Sequence, residues 1–254
     1  MNAGTARVAL LGGFALYCGD ARAEALPRAA QRLVAYLGLA RYPARTAVAG
    51  QLWPDVPEKQ AQGSLRTTLW RLQRAVPGLV EVSGDALSLA PVVRVDVREM
   101  TDWAHRALDP GSDVEWGALP DAQLSAELLP GWYDEWVLEE RERCRQLRMY
   151  ALEGMADKLA AKGRYGEAVQ VACAAIREEP LRETAHRTLL RIHLAEGNVA
   201  EAIRTYGSFR EQLAEELGVS PSAQMDSLIC RFGRVQTSEG RHGEAESGPA
   251  VARR

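Results

Sequence analysis

Between Glu58 and Arg74 the chain reads EKQAQGSLRTTLWRLQR, and its apolar positions fall at Leu65, Leu69, Leu72 and then Val76. Steps of three and four residues mark one face of a helix, not the alternation of a strand. The opposite face carries Gly63, Thr67, Trp70 and Arg74, with Lys59, Arg66 and Arg71 at its edges. The helix therefore combines a leucine keel with a cationic back that holds one aromatic. A charge run on a helix is by itself an ordinary solvated face. Its neighbours in the chain give it another meaning.

Ahead of it, Val8 to Leu11 and Phe14 to Tyr17 flank Gly12-Gly13, a hairpin signal, and Leu26 ends a third short strand. Pro27 suits a helix start, and the apolar set Ala30, Leu33, Val34 and Leu37 predicts a helix over 28–40. A second helix follows Arg45, with Thr46 as cap and Val48, Ala49 and Leu52 inward. Trp53-Pro54-Asp55-Val56-Pro57 stops it. After the basic helix and Pro77-Gly78, Val80 to Val82 and Leu87 to Leu89 flank Ser83-Gly84-Asp85, a second hairpin. Hairpin, three helices, hairpin is the order of a winged helix-turn-helix, whose third helix enters the major groove of DNA. This places an α+β winged-helix domain over 1–97.

From 98 the pattern is helical throughout. Lys162 to Ala168 (KGRYGEA) aligns with Glu196 to Ala202 (EGNVAEA) at an offset of 34, the period of tetratricopeptide repeats. Gly163 and Gly197 suit the turns between antiparallel helices, and Ala168 and Ala202 the close approach of the pair. Two repeats do not bury their own faces, so 133–161 and 221–232 are expected to cap them. The second domain is thus an all-α, tetratricopeptide-like repeat over 98–232. Residues 233–254 hold almost nothing apolar and are expected to be disordered.

Charge sharpens the picture. The net charge is −3, yet residues 1–96 hold eleven Lys and Arg against seven Asp and Glu, and the remainder twenty against twenty-seven. A basic front and an acidic back suit a polyanion held by the front. No apolar run is long enough for a membrane span, and no export signal is evident. The four cysteines, Cys18, Cys144, Cys173 and Cys230, have no metal or disulfide spacing. His186 and His193 share a helix face but have no third ligand at metal spacing, so no metal and no cofactor are expected. No phosphate-binding glycine loop, zinc-hydrolase or serine-hydrolase motif occurs, so an enzyme is not expected. Control by phosphotransfer within this chain is likewise not expected. The protein is expected in the cytoplasm, on the nucleoid.

The segment AVAGQLWPDVPEKQAQGSLRTTLWRLQRAV resembles the OmpR type of winged helix, and LLPGWYDEWVLEERER, EEPLRETAHRTLLR and EGNVAEAIRTYGSFREQLAEELGVSPS resemble the bacterial transcriptional activation domain. The two in this order resemble the SARP family, the Streptomyces antibiotic regulatory proteins, over residues 7–232. Two features depart from the family pattern. The wing has no cation and carries Glu81 and Asp85 where family members often have an arginine for the minor groove, and the usual PSPET-like ending reads PSAQM.

The resemblance implies a sequence-specific activator that binds direct repeats in promoters, contacts RNA polymerase holoenzyme through its sigma subunit, and serves a secondary-metabolite gene cluster. Direct repeats imply a side-by-side homodimer on the DNA. Base contacts are expected from Thr67, Trp70, Arg71 and Arg74, and phosphate contacts from Arg28, Arg32, Arg45, Lys59, Ser64 and Arg66. The loop Trp53, Pro54, Asp55 and Val56 is expected to face polymerase. Trp70 has two readings: a groove residue, or core packed on the wing or under the first sheet. A repeat-type interaction adaptor and a repressor remain as alternative functions.

Overall fold

The computed structural model describes residues 6–23, 26–112 and 125–230. Most of the loop at 109–120 and the tail at 233–254 lie outside them. The chain forms two compact units, Met1–Ala151 and Leu152–Arg254, each described by itself below.

In the first unit the Gly12-Gly13 turn joins β1 (Ala6–Ala9) to β2 (Ala15–Cys18), antiparallel with Val8 opposite Leu16. The third strand, β3, is Ala21–Arg22, earlier than expected, because a left-handed Gly19 reverses the chain directly after β2. Helices α1 (Arg28–Leu39), α2 (Arg45–Leu52) and α3 (Glu58–Ala75) follow, then the hairpin of β4 (Val80–Ser83) and β5 (Ala86–Leu89). β6 (Arg94–Val95) returns parallel to β1 and completes a sheet of order β3-β2-β1-β6. This is the predicted winged-helix order. Helix α4 (Asp96–Leu108) buries Met100, Trp103, Ala104 and Ala107.

Thr46 does not cap α2; the cap position is Ala44, without a side-chain acceptor. The wing sets that geometry instead. The Arg45 amide donates to the Asp85 carbonyl at 2.8 Å, and the Leu87 amide to the Pro43 carbonyl at 3.0 Å. The keel of α3 also differs by one position. Ala61, Leu65, Thr68 and Leu72 are buried, while Leu69 is half-buried. Thr68 tolerates burial because its hydroxyl donates to the Ser64 carbonyl at 2.8 Å.

The compact unit continues past residue 97. Backbone amides of Gly12 and Leu129 donate to Glu127 and Leu10, so the segment after 125 runs along the first hairpin. Phe14 stacks near Trp132, Trp132 meets Trp136 edge-on, and Trp136 meets Tyr36 edge-on at 5.4 Å. Trp136 sits in the first turn of α5 (Glu135–Ala161).

The second unit holds α6 (Tyr165–Glu178), α7 (Glu183–Glu196), α8 (Val199–Leu217) and α9 over 223–230. Gly163 and Gly197 have φ of +73° and +85°, the left-handed region that only glycine enters cheaply. Ala168 and Ala202 are fully buried. These are the turns and contacts expected from the repeat. Despite the PSAQM departure the last helix forms. Met225 is buried with Leu190, Phe209 and Leu213, the Ser222 amide donates to Glu183, and Tyr206 donates to Asp226 at 2.7 Å.

His186 stacks on Phe209 at 4.0 Å between centroids, with Nε2 at 2.8 Å from the Pro180 carbonyl. Burial lowers its pKa from the ordinary 6.5, against the pull of that carbonyl. The folded state therefore holds it neutral, while the unfolded chain takes up a proton once pH falls below about 6.5. Its contribution is complete above that pH and is lost as pH falls through the lower folded value. Thermal melts between pH 7.5 and 5 should show a steeper acid decline for the native protein than for His186→Phe, and parallel declines would exclude this role.

Candidate nucleic-acid interface

α3 begins at Pro57, whose carbonyl accepts from the Gln60 and Ala61 amides, and ends at Val76, ahead of Pro77-Gly78. With Leu65 and Leu72 fixed in the core, the opposite face is forced outward. Lys59, Arg66, Thr67, Trp70, Arg71 and Arg74 are all exposed, Trp70 by 58%. The indole is therefore not core. The Arg74 guanidinium lies 4.9 Å from its ring centroid, a cation–π contact that holds both outward. The Thr67 hydroxyl donates back to the Gly63 carbonyl at 3.0 Å, so its hydrogen is already committed along the helix.

This face gathers several cations without an acid partner. Among the described residues, no carboxylate lies within ion-pair distance of Arg45, Lys59, Arg66, Arg71 or Arg74. Several other arginines are paired, Arg94 to Glu99, Arg141 to Glu127, Arg143 to Glu140 and Arg182 to Glu153, while Arg7, Arg22, Arg177 and Arg210 stand singly without a carboxylate at ion-pair distance among the described residues. Unpaired cations gathered on one helix face are what a polyanion requires, since each phosphate they meet releases a condensed counterion.

Arg45 and Arg66 come together with Thr46, Gln62 and Asp85 around a slot of about 190 Å³ at the amino-terminal end of α2. A hydroxyl and two guanidinium groups suit a phosphate oxygen, with Asp85 the one acid on the wall. Thr46 and Gln62 carry no mark of this role in the sequence: Thr46 stands where a helix cap is expected, and Gln62 on the flank of the helical wheel. Ser64 is half-buried on the same helix.

Arg28 and Arg32 lie elsewhere. Arg32 binds Asp134 at 2.5 Å, and Arg28 reaches the same carboxylate at 3.9 Å while its guanidinium lies 3.6 Å over Trp132. The wing offers Glu81 and Asp85, both exposed. Trp53, Pro54, Asp55 and Val56 border a cavity on the side where α5 starts. Among the described residues no cluster could hold a metal ion, and no helix is long and apolar enough to cross a membrane.

The bacterial transcriptional activator domain model matches residues 101–231. The chain is 30% identical over 201 residues to the regulatory protein AfsR of Streptomyces coelicolor, covering 74% of this chain and 20% of that one. It is 29% identical to AfsR of Streptomyces griseus over 206 residues, covering 75% and 21%. The chain thus spans about a fifth of the length of these relatives. In fold it is similar to Mycobacterium tuberculosis EmbR, solved in complex with a low-affinity phosphopeptide, at a TM-score of 0.64 and 19% identity, covering 91% of this chain and 65% of that one.

The exposure of Trp70 has a direct test. Trp70→Ala should leave the urea midpoint within about 1 kcal/mol of the native value, whereas Leu65→Ala should cost about 2–5 kcal/mol. Comparable losses at the two positions would return the indole to the core.

Proposed function

The chain belongs to the bacterial transcriptional activator domain family, of the SARP type, and on that premise we propose that it is a sequence-specific DNA-binding transcriptional activator. The observation that carries the reading is the outward face of α3, where Lys59, Arg66, Arg71 and Arg74 stand unpaired around an exposed tryptophan. In the proposed complex α3 lies in the major groove. Arg71 and Arg74 pair with base edges, guanine being the best match for a guanidinium. The Thr67 and Trp70 side chains meet the apolar edge of a thymine. Arg45, Lys59, Ser64 and Arg66 hold phosphates. Arg28 and Arg32 add to the field more than to contact, because Asp134 already offsets them.

The exposed tip of the loop 53–56 supports a role in meeting RNA polymerase through its sigma subunit. On direct repeats two protomers sit side by side in one orientation. A secondary-metabolite gene cluster is the proposed target, in keeping with the Streptomyces relatives.

A second reading has one observation behind it. A groove of about 360 Å³ in the repeat unit has Ile176, Leu189 and Cys173 among its walls and Arg177 and Arg204 beside them. That lining suits a protein segment with an acidic end, as an adaptor would bind. A repressor would use the same DNA contacts to block polymerase.

Genome-wide mapping of binding sites supplies the promoter fragment, and a mobility shift against a scrambled fragment tests the reading. If about four or five phosphates are neutralised per protomer, log K should fall with log salt at a slope of roughly −4. A flat response would exclude the groove model. Arg71→Ala should cost roughly 1–3 kcal/mol and relax preference at one base pair; a loss uniform over all sequences would make Arg71 a phosphate contact. Asp55→Asn should leave DNA affinity intact and lower transcription in vitro with purified holoenzyme. Equal loss of both would remove the loop from the polymerase role, and repression in that assay would replace activation.

A further inference from the structure

The first unit contains a cavity of about 440 Å³, walled by the loop 53–56, the end of α2, Arg32 of α1 and the start of α5. That volume suits a small molecule. Trp53, Pro54, Val56 and Trp136 give it aromatic and apolar surface. Trp136 is only 4% exposed, and its indole Nε1–H has no acceptor. Arg32 supplies a second buried donor without a partner, its Nε, although its Nη2 is bound to Asp134. A buried N–H left unbonded costs about 1–3 kcal/mol, and folded proteins carry few of them. Two on residues of one cavity wall are what an acceptor atom of a ligand would satisfy. Charge narrows the class further. Asp55, Asp134 and Glu135 outnumber Arg32 around the space, so an anion is disfavoured.

We propose that this cavity binds a neutral, flat aromatic carbonyl compound, its ring against the tryptophan-bearing wall and its oxygen accepting from Trp136 Nε1 and Arg32 Nε. Neither nitrogen is open to water in this structure, so the oxygen reaches them only as a wall gives way. Of the wall, the stretch 53–56 and Asp134 lie outside helices, and Asp134 is held by Arg32, which leaves 53–56 as the part freest to move. Occupancy and the position of that loop are therefore linked. Only the consequence of that link for transcription rests on the proposed function; binding itself does not.

The test uses the full chain without DNA and flavone as the probe. Calorimetry should give saturable binding at micromolar flavone. In a proton–nitrogen spectrum, one of the six indole N–H signals should move, the one that Trp136→Phe removes. Trp136→Phe keeps a ring and deletes the donor, and should weaken flavone about tenfold. Gly50 borders the cavity and has open space where a side chain would begin, so Gly50→Phe should fill it and abolish binding with an unchanged melting temperature. Absence of binding up to the solubility limit of flavone overturns the proposal, as does undiminished binding to both variants. Tighter binding of 2-naphthoate than of flavone overturns the neutral ligand class.

Discussion

The carboxylate of Asp96, buried at 5% exposure, joins two parts of the winged-helix unit that are 86 residues apart in the chain. It accepts from the amides of Leu10 and Leu11 at the end of β1 and from Val97 in its own helix, all within 3.0 Å. Burial pushes its carboxyl up, and the three amides pull it down. Two residues on, Arg98 donates to the carbonyls of Leu37 and Gly38 at 2.6 and 2.7 Å, which satisfies the carboxyl end of α1. The first turn of α4 therefore fixes both the sheet and α1. Bonds to an ionised partner contribute about 1.5–3 kcal/mol each, so this turn is a strong constraint in a domain of ordinary marginal stability. α1 in turn forms part of the core in which the keel of α3 is seated. The outward aim of Trp70 and its arginines rests at the end of that chain of contacts.

The same unit stores a small strain where the segment after 125 meets the first hairpin. Leu129 is a fully buried leucine at φ +44°, a conformation that costs an L residue about 1–2 kcal/mol. Its surroundings over-determine it. The Leu129 amide donates to Leu10 at 2.9 Å, and Arg141 reaches the carbonyls of Leu128, Leu129 and Trp132. One arginine of α5 thereby closes three carbonyls of a loop that has no ladder of its own. The strained turn lets Trp132 and Trp136 face Phe14 and Tyr36, and this aromatic row, not the wing, carries the unit past residue 97.

How much of this was legible in the sequence depended on how local the physics was. The keel of α3 showed because the helical period is strong, and the paired turns at Gly163 and Gly197 showed because left-handed backbone selects glycine. Thr68 taking the inward place expected of Leu69 was hidden, since only the helix itself supplies the carbonyl that satisfies a buried hydroxyl. The binding of Arg28 and Arg32 to Asp134 spans about a hundred residues and left no local mark. The cavity was equally invisible. Its donors come from α1 and α5, and nothing in either stretch reports that a partner is lacking.

If α3 meets DNA as proposed, the distribution of charge favours a narrow footprint. Like charges held together on α3 repel one another, and no carboxylate among the described residues comes within ion-pair distance of them, an arrangement that suits an external polyanion. The wing adds no cation to it. Glu81 and Asp85 are exposed on the hairpin, so the wing brings two carboxylates and no cation toward a polyanion. In the proposed complex each protomer would use one helix and the slot at α2, a contact set small enough that one protomer would hold DNA weakly. Two protomers on adjacent repeats multiply their affinities through effective concentration. The proposed tandem sites would offset an acidic wing, where a single half-site would bind only at low salt.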